Sequence, residues 1–387
     1  MSQNALPKLR TLLAELIATP SVSSVNPDFD QGNRAVIERL AAWLAELGFS
    51  IEILPLAGHA DKANLIATLG RGPGGLVLAG HTDTVPCDPS RWQSDPFRLV
   101  ERNGRFHGLG TTDMKGFLAL AIEAARSLRA RDLAQPLIIL ATADEESSMD
   151  GARQLVTLGR PKARYAIIGE PTGLRPIHAH KGMMMEAIRL RGQAGHSSDP
   201  DLGVNALEAM HRALGELLTW RAELQQRYRH EAFTPPVPTL NPGHIHGGDN
   251  PNRICGRCEL HFDLRPLPGM DIETLRAELR RRLVTALADS DCEMELVSLM
   301  DSTPPLHTDP ASPLVTAAAE LSGHHAEAAS YCTEAPYLSQ LGMDTVVLGP
   351  GDIAQAHRPN EYLALDRIAP TLTLLTRFIE RFCVRKV

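Results

Sequence analysis

Seven residues of the chain carry groups suited to metal-assisted hydrolysis: His81, Asp83, Asp113, Glu145, Glu146, Glu170 and His357. Imidazole and carboxylate donors suit zinc and related divalent ions. Two such ions sharing a bridging carboxylate and a water suit the cleavage of an amide. One more carboxylate, held off the metals, would carry the proton from that water to the leaving amine. Taken singly, each residue also has an ordinary reading. His81-Thr-Asp83 can be a polar loop, and Asp113 can cap the helix that follows it. Glu145 and Glu146 can be a solvated pair, and Glu170 and His357 can be loop residues. The joint pattern resists those readings, because nearly all seven fall on turns that follow short apolar runs.

Those runs are the elements that must position the groups. Leu76–Ala79 runs into Gly80-His-Thr-Asp83, Leu137–Ala141 into Asp144-Glu-Glu146, and Tyr165–Ile168 into Gly169-Glu170. Thr345–Leu348 precedes Gly349-Pro-Gly351 and then His357. Helical patterns lie between them at 33–47, 116–129 and 366–382. The alternation argues an α/β core on a mostly parallel sheet. In such sheets ligands bind in the crevice at the carboxyl ends of the strands. Burying four or five carboxylates there without cations would be very costly.

The middle of the chain has a different order. Strand patterns at 183–191, 239–245, 253–265 and 292–300 alternate with helical ones at 205–228 and 271–287, with Asp271 placed to cap the second. The order β-α-β-β-α-β is a split βαβ unit. An inserted domain is therefore expected over 182–299, interrupting a discontinuous domain of 1–181 and 300–387. Cys255 and Cys258 form a C-x-x-C at the start of the third of these strands. Residues three apart on a strand point to opposite faces, which argues against a shared metal or a disulfide.

The length of 387 residues accommodates two domains. A net charge of −7 without a Lys/Arg block argues against nucleic-acid and membrane-surface partners. Residues 1–17 mix charges into an apolar pattern and read as an amphipathic helix, not a signal peptide. No apolar run reaches the roughly 20 residues needed to span a bilayer. Six cysteines in so long a chain suggest reduced thiols and a cytoplasmic protein.

The segments Gly80-His-Thr-Asp-Thr-Val-Pro86, Gly108-Leu-Gly-Thr-Thr-Asp-Met-Lys-Gly116, Thr142-Ala-Asp-Glu-Glu146 and Ile168-Gly-Glu-Pro-Thr172 resemble the M20 family of metallopeptidases and aminoacylases. The resemblance continues through Ala194–Pro200, Asn252–Cys255, Asp263–Met270, Tyr331–Pro336 and Gln355–Tyr362. It implies a zinc-exopeptidase-like, mostly parallel-sheet catalytic domain with an inserted ferredoxin-like dimerisation domain. It implies two divalent ions, zinc by default with cobalt able to substitute. His81 and Glu170 would bind one ion and Glu146 and His357 the other, with Asp113 bridging. Asp83 would orient His81, and Glu145 would be the general base. The resemblance further implies a cis peptide at Asp113–Met114 and a homodimer in which His196 reaches the partner's site to hold the oxyanion. Asn252 and Arg265 match positions near the substrate, and Arg265 suits an α-carboxylate, although it can equally be a strand-surface charge. Glu334 is the acid expected to meet a substrate ammonium, or else to start a helix. Many family members carry Pro where this chain has Cys255. The implied reaction removes the acyl group of a small N-acyl amino acid. N2-acetyl-L-ornithine is the expected substrate. Succinyl-diaminopimelate, acetylcitrulline or a broad range of acyl amino acids are the alternatives.

Overall fold

A computed structural model of the chain describes residues 6–385. It opens with helices α1 (Leu9–Ile17) and α2 (Arg34–Glu46), then strands β1 (Ser50–Pro55), β2 (Ala63–Leu69) and β3 (Leu76–His81). Helix α3 (Lys115–Ala125) and strands β4 (Leu137–Thr142), β5 (Tyr165–Ile168) and β6 (Ile177–His180) follow. Next come β7 (Met184–Arg191), α4 (Ala206–Arg227), β8 (Thr239–Gly247), β9 (Arg257–Arg265), α5 (Ile272–Ala286) and β10 (Glu293–Ser298). The chain closes through β11 (Asp344–Val347) and α6 (Ile368–Phe382), with shorter elements between. Helix α1 covers part of the amphipathic stretch expected over 1–17; residues 1–5 of that stretch lie outside the described residues. Among the described residues no helix is long and apolar enough to cross a membrane.

Two compact units result. The first takes the chain up to His178, Thr308–Glu327 and everything from Thr333; the second is Ala179–His307 with Ala328–Cys332. The sequence pattern sets the insertion at 182–299, whereas the unit also takes in a short piece of the returning chain. That piece belongs there because the Ala329 carbonyl accepts the Lys181 N–H and Ala328 packs on the second core.

In the first unit the strand order is β1-β2-β4-β3-β5-β11-β6. β4, β3, β5 and β11 run parallel, and β1, β2 and β6 pair antiparallel at the flanks. Every residue of β3, β4 and β5 is buried, which is why these strands read as unbroken apolar runs. Leu16, Leu40, Phe117, Leu118 and Phe378 from the helices fill the core around Leu78, Ile139, Ile167 and Val346. Parallel pairing brings the carboxyl ends of β3, β4, β5 and β11 to one edge, and the turns beyond them carry the acids and imidazoles.

In the second unit the order is β8-β9-β7-β10, with every neighbour antiparallel, as a split βαβ unit requires. Asn205 caps α4 and Asp271 caps α5 through their side chains. Trp220, Leu224, Leu279 and Leu283 of the helices pack on Ile188, Leu190, Leu260 and Phe262. The cysteine pair departs from expectation. β9 begins at Arg257, so Cys255 precedes the strand. Both cysteines line one cavity of about 680 Å³ and both belong to the core of the second unit, so they are not divided between opposite sides of the sheet. None of the six cysteines is in a disulfide.

Candidate metal centre

His81 is the last residue of β3 and is completely buried. Its Nε2 lies 3.2 Å from Asp113 Oδ1 and 3.6 Å from Glu170 Oε1. Across the same carboxylate, His357 Nε2 lies 3.6 Å from Asp113 Oδ2 and 2.9 Å from Glu146 Oε2. Asp113 therefore presents one oxygen to each imidazole. It does so from the turn before α3, where its peptide to Met114 is cis and no side chain caps the helix. The capping alternative for Asp113 falls away. His357 keeps 56% of its side-chain surface open, whereas Glu146 keeps 7% and Glu170 8%, so the centre meets solvent on the His357 side.

The turn after β4 aims Glu145 and Glu146. Asp144 adopts a left-handed conformation, φ 59°, and its carbonyl closes the turn by accepting the Ser148 and Met149 N–H groups. The Asp144 carboxylate accepts from Lys62 Nζ at 2.9 and 3.0 Å and from the Ser23 hydroxyl at 2.9 Å. Asp30 Oδ2 meets the same ammonium at 2.7 Å. Asp83 does not orient His81 in the expected way. The His81 Nδ1–H donates to the Asp83 backbone carbonyl at 3.0 Å, with the nearer carboxylate oxygen at 3.7 Å. The carboxylate is turned instead toward the next loop, where Oδ2 accepts the Glu146 N–H at 3.0 Å. The ring of His81 is oriented all the same, with Nε2 facing Asp113 and Glu170.

The electrostatics mark an excess of buried acid. Burial, reinforced by Asp113, pushes the Glu170 carboxyl well above its ordinary range, and burial likewise raises Glu145, with Glu146 and Glu334 adding to it. Glu146 is raised by burial and Asp113. Asp113 alone is lowered: burial acts upward, but the His81 contact overrides it. The nearby imidazoles are correspondingly held protonated. Cations would relieve this excess of buried acid. The donor geometry fits them: ligand atoms of His81, Asp113 and Glu146 lie within 4.8 Å of one another, as do those of His81, Glu145 and Glu170.

Glu334 adjoins this group. It is 1% exposed, both its oxygens lack a hydrogen-bond partner, and burial lifts its pKa to about 7 while the Thr142 hydroxyl beside it acts the other way. It precedes helix Ala335–Gln340 without capping it.

The remaining expected residues belong to the second unit. His196 is exposed; its Nδ1 accepts the Ser198 N–H and lies 2.7 Å from the Ser198 hydroxyl. It bridges Arg253, and the Asn252 carbonyl accepts the Ser197 N–H, so His196 and Asn252 come together. Arg265 does not join them. It ends β9, with Nε 2.9 Å from Asp263 Oδ2. At about 3.4 Å per residue, the strand puts Arg265 about 27 Å from Arg257, the strand end that follows the 252–253 segment.

Two functional neighbours were not legible as such in the sequence. Lys62 has no local pattern around it and meets Asp144 from 82 residues away. Glu361 lies inside the Gln355–Tyr362 segment, and its carboxylate accepts only backbone N–H groups, which leave no mark on residue type.

Comparisons with known proteins agree with this geometry. The pattern describing peptidase family M20/M25/M40 matches residues 77–381. An acetylornithine deacetylase of Pasteurella multocida (strain Pm70) is 50% identical over 378 residues, 98% of this chain and 99% of its own. One of Edwardsiella ictaluri (strain 93-146) is 51% identical over 380 residues, again 98% and 99%. In fold the chain resembles the crystal structure of an M20-family metallo-carboxypeptidase, Sso-CP2, from Sulfolobus solfataricus. The TM-score is 0.75 at 19% identity, covering 97% of this chain and 99% of that one.

Proposed function

The chain belongs to peptidase family M20/M25/M40, whose members are metal-dependent, and as a hydrolase of amides it has one substrate that we propose: N2-acetyl-L-ornithine. The products would be L-ornithine and acetate, a step of arginine biosynthesis. The observation that carries the chemistry is Asp113 set between two imidazoles with Glu145 beside it. The identity to two acetylornithine deacetylases supports the substrate.

In this reading His81 and Glu170 would hold one divalent cation, Glu146 and His357 would hold the other, and Asp113 would be shared by both. Zinc suits the donor set, and cobalt can replace it. Ions bound there would polarise the acetyl carbonyl and acidify the attacking water. Glu145 takes the proton from that water and passes it to the departing α-amine. The Asp83 carbonyl holds the His81 tautomer, and the Asp83 carboxylate holds the backbone of the Glu146 turn.

His196 donates from Nε2 to the developing oxyanion. Arg265 takes the α-carboxylate, Asn252 completes the substrate contacts, and Glu334, with two buried unpaired oxygens, receives the side-chain ammonium. Asn252 and Arg265 lie at opposite ends of β9, whose length of about 27 Å exceeds that of the substrate, and this reading requires that different subunits supply them to one site. A homodimer formed through the second unit meets that requirement. Cysteines outside any disulfide suit a reducing cytoplasm.

The test is a comparison of kcat/KM for acetylornithine, acetylcitrulline, acetylmethionine and succinyl-diaminopimelate with zinc-loaded protein. Acetylornithine should lead; a clear preference for another acyl amino acid would overturn the substrate assignment.

A further inference from the structure

Glu361 is buried to 1% and lies four residues after His357. Its Oε2 accepts the Gly110 N–H at 3.0 Å, and its Oε1 accepts those of Thr112 at 2.7 Å and Asp113 at 3.0 Å. A carboxylate buried beside a second one, Asp113, is costly; three backbone donors offset part of that cost, and burial with Asp113 still lifts the group to about 8. All three belong to the loop that ends in Asp113. The acceptor belongs to the loop that presents His357, which runs through left-handed residues at His357 and Asn360. Neutral bonds already join the two loops: Gly108 N–H to the Glu361 carbonyl at 3.1 Å and the Thr112 hydroxyl to the Tyr362 carbonyl at 2.5 Å. The carboxylate is therefore not needed merely to connect them. It sets the backbone of Asp113 itself, and through it the direction of the oxygen that faces His357.

We propose that Glu361 is a positioning residue that staples the Asp113 loop to the His357 loop and so sets the affinity for the cation held by Glu146 and His357. The cation at His81 and Glu170 depends on it less, because β3 and the turn after β5 hold those ligands from buried strands. The inference rests on the reading of Asp113 as the shared ligand.

The experiment is a titration of metal-free protein with Co²⁺, followed by its visible spectrum and by competition with a chromophoric chelator. Wild type, Glu361→Gln and Asp113→Ala are compared. Glutamine keeps an oxygen for Thr112 and Asp113 but turns an amide nitrogen toward the Gly110 N–H. Wild type should bind two equivalents. Glu361→Gln should bind the first within a few-fold of wild type and the second about 10–100-fold more weakly, the usual effect of losing an outer partner of a ligand. Glu361→Asp, which keeps the charge but not the reach, should behave like the glutamine variant, and it carries the test if that variant does not fold. Wild-type affinity at both positions in Glu361→Gln, or equal losses at both, overturns the staple. If Asp113→Ala also binds two equivalents normally, the shared-ligand reading fails instead.

Discussion

The imidazole of His357 and the carboxylate of Glu146 meet at 2.9 Å, and in the metal-free protein this contact lifts the His357 pKa to about 9. A raised folded pKa means that the contact stabilises the fold fully below the unfolded value of about 6.5 and less as pH climbs through 9. A cation at Glu146 and His357 must displace that proton. Apparent metal affinity should therefore rise with pH and level off above about 9. Calorimetry of metal binding at pH 7.5, in buffers of different ionisation heat, should show net proton release. Heats that do not depend on the buffer would contradict the pairing.

Lys62 and Asp144 form an ion pair in which each side chain keeps only 4% of its surface exposed. Removing one partner of such a pair strands the other charge and costs about 3–5 kcal/mol. Lys62→Met should lose that much stability in urea denaturation. It should also lower kcat with KM little changed, because Asp144 begins the turn that carries Glu145. Adding Asp144→Asn should return part of the stability. A Lys62→Met protein as stable and active as wild type would show that the turn holds itself.

His180 is fully buried, its Nδ1–H donates to the Lys181 carbonyl at 2.8 Å, and burial pushes its pKa down to about 4. Because the folded pKa is the lower one, the unfolded chain binds the extra proton between about pH 6.5 and 4. Stability from this residue is whole above 6.5 and is lost as pH falls through that window, by about 3 kcal/mol in total. His180→Gln should flatten the decline in stability of the metal-free protein across that window. An unaltered slope would remove His180 as its source.

His196→Ala should lower kcat about 10²–10³-fold, the usual effect of losing an oxyanion donor, while leaving metal content intact. If the donor comes from a second subunit, mixing His196→Ala with Glu145→Ala should restore activity, since one hybrid site then carries both intact groups. Mixtures as inactive as either parent would place His196 within its own subunit or outside the reaction.

Much of this architecture was legible because buried parallel strands write themselves as apolar runs. The stretches ending at His81, Thr142 and Ile168 could be recognised, and so could the acids just beyond them. The split βαβ order was equally visible, with Asp271 marking its second helix. What escaped has a common cause. Glu361 binds backbone, Lys62 finds its partner across 82 residues, and Asp83 uses its carbonyl where its carboxylate was expected. None of these is a property of residue type or spacing. Cys255 was misread for a different reason: the pairing of Arg257 with Arg191 fixes where β9 begins, and alternation alone does not show that start.

The central claim is that Glu145 moves the proton while its neighbours hold the metal. Glu145→Gln, loaded with zinc, is the most direct test, with metal content and single-turnover hydrolysis of acetylornithine measured on the same sample. The account predicts two zinc ions per chain, as in wild type, and a hydrolytic rate lower by at least about 10³-fold. Full metal content with an undiminished rate would contradict it.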